Sequence, residues 1–366
     1  MLKDDPFLLW LMSLNLTNFQ MNKLLKNFGN ARKIFALGGR IDQIGEFATK
    51  IRLDAAVRAA EGFNFISRNN AYFPKKFKNM ADAPIGIFAK GNMEIWKNLD
   101  EIPTVGIVGM RDNTIYGRDV TRKLAKELAI SGITIVSGMA RGLDAHAHAA
   151  TLAAGGDTIG VLPCGIDICY PLENKKLYEQ ISKQGLLISE YFPGTRAEKW
   201  TFIARNRIVS ALSDVLVVTE AAERSGTLST VEHALSQGKD VMAVPGSILS
   251  PQSRGTNGLI REGAGVATSH ADVLIALKNQ KHLKEFFKGK NLEFKGFAAD
   301  TSLGCEKISL ASDESLVYSC INYENVSIDY IMYKTNLPIS KINKILLDME
   351  LDGKIRKLPG NVYAKI

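Results

Sequence analysis

The sequence is poor in the features of secreted, membrane-spanning and metal-binding proteins. Its four cysteines are spread without a CxxC pair or a regular framework, which excludes a disulfide scaffold and favours reduced thiols. No apolar run approaches the roughly 20 residues that cross a bilayer, and the first residues show no signal-peptide pattern. We therefore expect a cytoplasmic protein that has no membrane anchor and that binds no metal or cofactor.

The sequence also lacks a recognisable catalytic group. No loop after a predicted strand carries a nucleophile beside its base or two carboxylates at hydrolytic spacing. His146 and His148 are two residues apart on a predicted helix and cannot chelate one ion together, whereas Asp144 and His148 are expected to form a local pair or cap. Gly106-Ile-Val-Gly109 does not have GxGxxG spacing, which argues against a dinucleotide site. These absences favour a binding protein over an enzyme.

Length and charge indicate the kind of partner. With 366 residues the chain can form two or three domains, each of which buries its own core. Its formal net charge is +8 at pH 7, and a basic balance favours a polyanionic partner or an acidic surface.

The middle of the chain has the pattern of a doubly wound α/β domain. Short β-branched runs alternate with helical segments such as Tyr116–Ile130 and Leu143–Ala154, which predicts a mostly parallel sheet covered by helices on both faces. The predicted strands are Thr104–Val108, Thr134–Ser137, Thr158–Leu162, Leu186–Ser189, Val215–Thr219 and Val241–Val244. Ligands of such a sheet bind beyond the carboxyl ends of its strands.

The flanking regions predict three further parts. Residues 1–68 form a small helical domain of the SAM or helix-hairpin-helix type, which serves as a scaffold or protein contact or grips a nucleic-acid backbone. The α/β core follows over 69–277 and begins with a connector that holds one short strand near Ala83–Phe88. Lysine-rich residues 278–306 are predicted to be a linker. The pattern of residues 307–366 predicts helices followed by a hairpin. This order is typical of a winged-helix-like module that contacts DNA or protein.

The stretch Lys199–Arg207 combines three cations, an amide and two aromatic residues. Cations neutralise phosphates and aromatic faces stack bases, so this composition suits single-stranded nucleic acid; the alternative is a helix start with a solvated basic face. At 100° per residue, Lys199, Phe202, Arg205 and Asn206 lie on one side of a helix and Arg207 about 140° from Phe202. We expect the first group to face the ligand and Arg207 to pair with a carboxylate inside the domain.

Small residues at the predicted strand ends allow a phosphate to approach backbone amides, and the helix that follows each loop favours an anion. Such loops follow the first, second and fifth predicted strands of the core. Together with the Lys199 helix, they supply the predicted nucleic-acid contacts: Gly109, Arg111, Thr114, Ser137, Gly138, Arg141, Lys199, Phe202, Arg205, Asn206, Ser225, Gly226 and Thr227.

Eight ordered blocks of the sequence resemble the DNA-processing protein A family (DprA/Smf). The resemblance covers about Tyr72 to Leu277, and the flanking modules resemble those of longer members. The blocks are Val105–Arg111, Thr114–Gly117, Ile135–Asp144, Cys164–Pro171, Leu187–Tyr191, Phe202–Ile208, Ser225–Thr227 and Val244–Gly246.

The resemblance implies an extended Rossmann-like core in a cytosolic homodimer. Such a protein would bind and protect single-stranded DNA during natural transformation and help to load RecA recombinase where single-strand-binding protein would otherwise occupy the strand; the family is not known for catalysis. It implies a pocket formed by Arg111, Lys199 and Phe202. The family usually has serine where this chain has Met110, so a hydroxyl contact to phosphate is missing and Arg111 carries more of the binding.

A nucleotide phosphoribohydrolase with a related Rossmann-like fold is the alternative. Those enzymes carry a Pro-Gly-Gly-x-Gly-Thr loop and a catalytic glutamate soon after it. Here the corresponding loop, Glu223–Thr227, lacks one glycine, and Ser229 and Thr230 stand where the acid is expected. Glu232 lies further along the predicted helix, on another face.

Overall fold

The computed structural model describes residues 5–14, 16–41, 44, 53–288, 312–321, 326–335, 337–358 and 360–365. The chain divides into two compact units, Met1–Leu292 and Glu293–Ile366. The expected fold class is confirmed: an α/β unit with a mostly parallel sheet is followed by a winged-helix unit. Among the described helices, none is both long enough and apolar enough to span a bilayer.

A nine-stranded sheet forms the centre of the first unit. Its strand order is β1-β2-β6-β5-β4-β3-β7-β8-β9. The pairs β1–β2 and β2–β6 are antiparallel, and every other pair is parallel. The strands are β1 Asn64–Ser67, β2 Gly86–Gly91, β3 Thr104–Gly109, β4 Thr134–Ser137, β5 Thr158–Val161, β6 Leu186–Ser189, β7 Val215–Glu220, β8 Asp240–Ala243 and β9 Gly265–Val266.

The helices of this unit precede the sheet, connect its strands and follow its last strand. They are α1 Pro6–Ser13, α2 Asn18–Phe28, α3 Ala31–Leu37, α4 Leu53–Ala59, α5 Met93–Lys97, α6 Ile115–Ile130, α7 Leu143–Ala153, α8 Lys175–Gln184, α9 Lys199–Leu212, α10 Leu228–Ser236, α11 Arg254–Arg261, α12 His270–Lys278 and α13 Lys284–Phe287. Short 3-10 turns occur at Gly38–Arg40, Lys75–Asn79, Leu172–Asn174, Pro251–Ser253 and Lys281–Leu283.

All six predicted core strands are present, and their bounds agree to within one residue at each end. Two strands were missed. β1 directly follows the helical amino-terminal region and has only four residues, and β9 has two, so neither is long enough to show an alternating pattern. Because β1 pairs with β2, the sheet begins before the predicted boundary at residue 69.

The amino-terminal helices share a hydrophobic core with the sheet. Trp10 of α1 is fully buried in a cluster that also contains Phe65 of β1, Phe88 of β2 and Ile181 of α8. Residues 1–68 therefore do not have a core of their own in the described structure, in contrast to the predicted separate domain. A second cluster, on the α9 and α10 side of the sheet, includes Trp96.

The predicted linker is folded over its first residues. Leu283 is fully buried and Phe287 is 7% exposed, which explains why helical turns continue to residue 287. The lysines of this segment obscured two apolar residues at helical spacing. The remainder of the predicted linker, from residue 289, lies outside the described residues.

The second unit contains three helices and a three-stranded antiparallel sheet, as a winged helix requires. Ile331, Ile342 and Leu346 form its core with Ile355 of the hairpin. Its elements are α14 Ser312–Cys320, β10 Val326–Ser327, α15 Ile328–Thr335, α16 Ile339–Leu351, β11 Ile355–Leu358 and β12 Val362–Lys365.

Candidate nucleic-acid interface

A cleft of about 630 Å³ opens at the carboxyl ends of β3 and β7. β3 and β7 are neighbouring parallel strands. After β3 the chain continues through α6 to β4 on one side of this pair, and after β7 it continues through α10 to β8 on the other side. The two helices therefore cover opposite faces of the sheet and leave a crevice between the strand ends. The predicted contacts line this cleft with the exception of Thr114, Ser137 and Arg141.

A cation and two aromatic rings pack against one another at the cleft. The guanidinium carbon of Arg111 lies 5.0 Å from the ring centroid of Phe202. The Tyr170 ring meets Phe202 edge-on, at 5.3 Å between centroids. Arg111 is exposed, Phe202 is half-buried and Tyr170 is 41% exposed, so ring and guanidinium surfaces remain available to a base and a phosphate.

The amino-terminal half of α9 forms one wall of the cleft. Lys199 is the first residue of this helix, is exposed, and has no ion pair with any described residue. Ile203 of the same half also lines the cleft and is 58% exposed. The side of the helix that carries Lys199 and Phe202 therefore presents a cation and apolar surface together.

Arg205 departs from its predicted place, because it is only 4% exposed. One of its terminal nitrogens donates to the carbonyl oxygens of Gly138 and Val161, the latter at 2.6 Å. Its Nε donates to Asn206 Oδ1 at 3.2 Å. Burial lowers the pKa of Arg205, although the Asp144 carboxylate nearby opposes this shift. The guanidinium is therefore engaged inside the protein, at the floor of the cleft.

The expectation for Arg207 is confirmed. Its side chain is buried and forms ion pairs with two carboxylates, Asp82 at 2.9 Å and Glu190 at hydrogen-bonding distance. Glu190 follows β6 and is itself buried. Burial raises the pKa of Glu190, and the charge of Arg207 opposes that rise. This cluster joins the carboxyl-terminal half of α9 to the sheet and to the loop before β2.

The glycines of the cleft allow close packing or close approach. A Cβ at Gly138 would lie 2.5 Å from the Arg205 guanidinium, and one at Gly109 would lie 2.4 Å from Leu143. Gly226 is exposed, has open space around it, and its N–H has no acceptor among the described residues. Thr227 donates to the Gly109 carbonyl at 3.1 Å and Ser225 donates to Thr227 at 3.0 Å, which fixes the Gly226 amide at the cleft.

Thr114, Ser137 and Arg141 do not line the cleft, in contrast to their prediction as contacts. Thr114 is the N-cap of α6 and donates to buried Glu220 at 2.7 Å. Ser137 is fully buried and donates to the Ile107 carbonyl at 2.6 Å. Arg141 is exposed and paired with Asp112 at 3.3 Å. The two hydroxyl groups are used to hold strand ends.

Of the two roles predicted for Asp144 and His148, a pair or a local cap, the structure does not show the pair, since the two side chains do not bond to each other. Asp144 accepts from the Ala140 N–H at 3.4 Å, and burial raises the pKa of this carboxyl group. His148 Nδ1 lies 2.6 Å from Thr158 Oγ1. Burial lowers the pKa of His148 to about 3, so the imidazole is neutral at physiological pH. The described residues hold no group of three metal-ligating side chains.

Nine residues that line the cleft were not predicted from the sequence, among them Tyr170, Ile203 and Asp112. Tyr170 lies in the loop that follows β5, within the block Cys164–Pro171 that resembles the family, and Ile203 is an exposed apolar residue beside Phe202. Asp112 places a carboxylate beside Arg111 and is 84% exposed. Met110 also lines the cleft, and its N–H donates to the Glu220 carbonyl at 3.1 Å.

Comparison with known proteins gives two family matches in chain order. The DNA recombination-mediator protein A model matches residues 64–278, and the DprA winged helix domain model matches residues 306–361. The first match begins at β1, in agreement with the observed start of the sheet.

Curated relatives and solved structures agree with these matches. The DNA processing protein DprA of Streptococcus pneumoniae is 39% identical over 71% of this chain and 93% of its own length. Its Bacillus subtilis counterpart is 38% identical over 67% and 82%. The Streptococcus pneumoniae structure superposes with a TM-score of 0.67 at 34% identity, covering 76% of this chain and all of that one.

A second solved structure is that of DNA processing protein A from Helicobacter pylori, which was described for its single-stranded DNA binding mode. It has a TM-score of 0.53 and 34% identity, and covers 59% of this chain and 96% of that one. The family match covers more than half of the chain, and the fold and the winged helix agree with it. The chain belongs to the DNA recombination-mediator protein A family.

Proposed function

We propose that the protein binds single-stranded DNA in the cleft, protects it and helps to load RecA recombinase onto it. The observation that carries this proposal is the packed group at the cleft, in which Arg111 lies over Phe202 and Tyr170 packs on the same ring. Exposed Lys199 begins the helix that holds Phe202. Cations beside aromatic faces bind a flexible strand without regard to its sequence.

The groups that line the cleft favour binding of a single strand over binding of a duplex. Stacking on Phe202 or Tyr170 requires a base whose face is open, and bases in a duplex are already stacked. Arg111 and Lys199 contact the phosphates, while the exposed Gly226 amide offers a backbone donor. Arg205 supports the floor of the cleft from below rather than contacting a phosphate.

The biological setting follows from the family. We propose that the protein acts in the cytoplasm as a homodimer in natural transformation, where it competes with single-strand-binding protein for the incoming strand and hands that strand to RecA. Family membership and the single-stranded DNA binding described for the Helicobacter pylori relative support this proposal. We propose that no covalent chemistry accompanies binding.

The test is binding of a fluorescent oligothymidylate by the full chain and by Arg111→Ala combined with Lys199→Ala. We expect at least a tenfold loss of affinity, because two phosphate contacts are removed. Lys126→Gln combined with Lys183→Gln is the matched control, since both lysines are exposed and lie outside the cleft. Unchanged affinity of the cleft variant, or preference for a duplex, would refute the proposal.

The phosphoribohydrolase alternative has less support. Glu232 is exposed and does not line the cleft, and Thr230 does. The two acidic cleft residues are exposed Asp112 and buried Asp144. Incubation with nucleoside monophosphates tests this alternative, and release of free base would overturn the proposed role.

A further inference from the structure

The amino-terminal helices carry a strongly basic surface outside the cleft. Between Asp5 and Asp42 the sequence contains five cations and no aspartate or glutamate. The cations are Lys23, Lys26, Arg32, Lys33 and Arg40, and all five are exposed. None of them forms an ion pair with a described residue. A basic surface of this density attracts a polyanion.

Helix α2 combines this charge with an aromatic residue on one side. Phe19, Lys23 and Lys26 are spaced four and three residues apart, so they lie within about 60° of one another around the helix. Phe19 is 70% exposed and both lysines are exposed. The opposite side of the helix is used for packing, since Met21 and Leu24 are buried. The Phe19 ring is therefore not part of the hydrophobic core, and packing of the helix does not account for an aromatic residue at this position.

The same helix is attached to the elements that hold the cleft. Asn18 donates to the Asp82 carbonyl at 2.6 Å, and Asn22 donates to the Ala83 carbonyl at 3.1 Å. The carboxylate of Asp82 binds Arg207 of α9 at 2.9 Å. Arg207 is eight residues from Lys199, a rise of about 12 Å along the helix. The start of α2 is thus linked through one residue to the helix that lines the cleft.

We propose that Phe19, Lys23 and Lys26, which we call the α2 stripe, form a second contact surface for the single strand that occupies the cleft. Arg32 and Lys33 extend this surface beyond the turn after α2. The inference rests on the proposed function of the cleft. The lysines neutralise phosphates of the strand beyond the cleft, and the Phe19 ring stacks one of its bases.

A second contact surface makes the effect of the stripe depend on strand length. An oligonucleotide of about 6 nucleotides occupies the cleft alone, whereas one of about 30 reaches both surfaces. Lys23→Gln combined with Lys26→Gln should therefore weaken binding of the long strand about five- to tenfold and leave that of the short strand unchanged. The dependence of log affinity on log salt should become shallower by about 1.4 for the long strand, about 0.7 for each lost phosphate contact.

The experiment measures fluorescence anisotropy of oligothymidylates of both lengths with the full chain. Phe19→Ala is the second variant, and it should weaken only the long strand without changing the salt dependence, because it removes stacking and no charge. Lys126→Gln combined with Lys183→Gln again removes two exposed cations elsewhere and should leave both affinities unchanged. Thermal melting of every variant establishes that the fold is retained.

Several results would overturn the inference. They are unchanged binding of the long strand by the stripe variants, an equal loss for both lengths, an equal loss in the control, or a loss confined to duplex DNA or anionic vesicles. If the wild-type chain binds both strands and the stripe variants behave like it, only this inference fails. If the wild-type chain binds neither strand, the proposed function fails with it.

Discussion

The two halves of α9 use the same kinds of residue for opposite purposes. In the amino-terminal half, Lys199 and Phe202 are exposed or half-buried at the cleft. Further along the helix, Arg205 and Arg207 are each 4% exposed and are bonded to carbonyls or carboxylates. Position in the fold, rather than residue type, therefore decides whether a cation binds a ligand or stabilises the structure.

The comparison explains why a basic segment is a poor guide to a binding site. A buried guanidinium is costly unless its donors are bonded. Both arginines bond to partners from other elements, and one terminal nitrogen of Arg207 has no partner among the described residues. Those partners come from β4, β5, β6 and the loop before β2. The buried arginines of α9 thus hold the amino-terminal end of the helix against the strand ends.

The largest expected effect is that of Arg207→Ala on stability. The change leaves the buried Glu190 carboxylate without its partner, and loss of one member of a buried pair costs about 3–5 kcal/mol. One Glu190 oxygen already has no hydrogen-bond partner among the described residues. Chemical denaturation measures the free energy of unfolding, and a loss below 1 kcal/mol would contradict this role.

The loss of stability in Arg207→Ala should also depend on pH. Burial already raises the pKa of Glu190, and removal of Arg207 raises it further. A carboxyl group with a raised pKa in the folded state favours folding below its unfolded pKa and disfavours it as pH rises through the folded value. The deficit of Arg207→Ala relative to wild type should therefore be smaller at pH 5 than at pH 8. Equal deficits at both values would show that Glu190 is not the cause.

Arg205→Ala should have the next largest effect. It leaves the carbonyls of Gly138 and Val161 without a charged donor, at a cost of about 2–3 kcal/mol of stability. Arg205→Lys keeps the charge and one donor group, so it should lose less. Thermal and chemical denaturation of both variants test this order. If Arg205→Ala weakens DNA binding without any loss of stability, Arg205 contacts DNA directly.

Phe202→Ala should act on binding and not on the fold. Removal of one stacking ring costs about 1–3 kcal/mol of binding free energy, and it also removes the surface on which Arg111 and Tyr170 pack. Phe202→Tyr retains a ring and is the matched control. Anisotropy with a short oligothymidylate measures the effect, and equal affinities of Phe202→Ala and wild type would exclude stacking at this ring.

Lys199→Ala should have the smallest effect. It removes one exposed cation, which lowers affinity about fivefold and makes the salt dependence shallower by about 0.7. Exposed substitutions of this kind change stability by about 0.5 kcal/mol or less. A stability loss that approaches the loss of Arg207→Ala would remove the distinction between the two halves of the helix.

The sequence predicts the sheet well because buried parallel strands are short apolar runs between helices, as in Thr134–Ser137 and Leu186–Ser189. It predicts less of the site, because side-chain partners lie far away in the chain. Thr114 binds Glu220 across 106 positions and Arg205 binds Gly138 across 67. Neither contact has a local pattern, so a hydroxyl or guanidinium group that holds the fold looks the same in the sequence as one that meets a phosphate.

Photocrosslinking tests the central claim most directly. A short oligonucleotide that carries 5-iodouracil is irradiated with the full chain, and the modified residues are found by mass spectrometry. Stacking at the cleft predicts crosslinks at Phe202 and Tyr170, and none within the buried half of α9. Efficient crosslinking confined to residues outside the cleft would contradict the account.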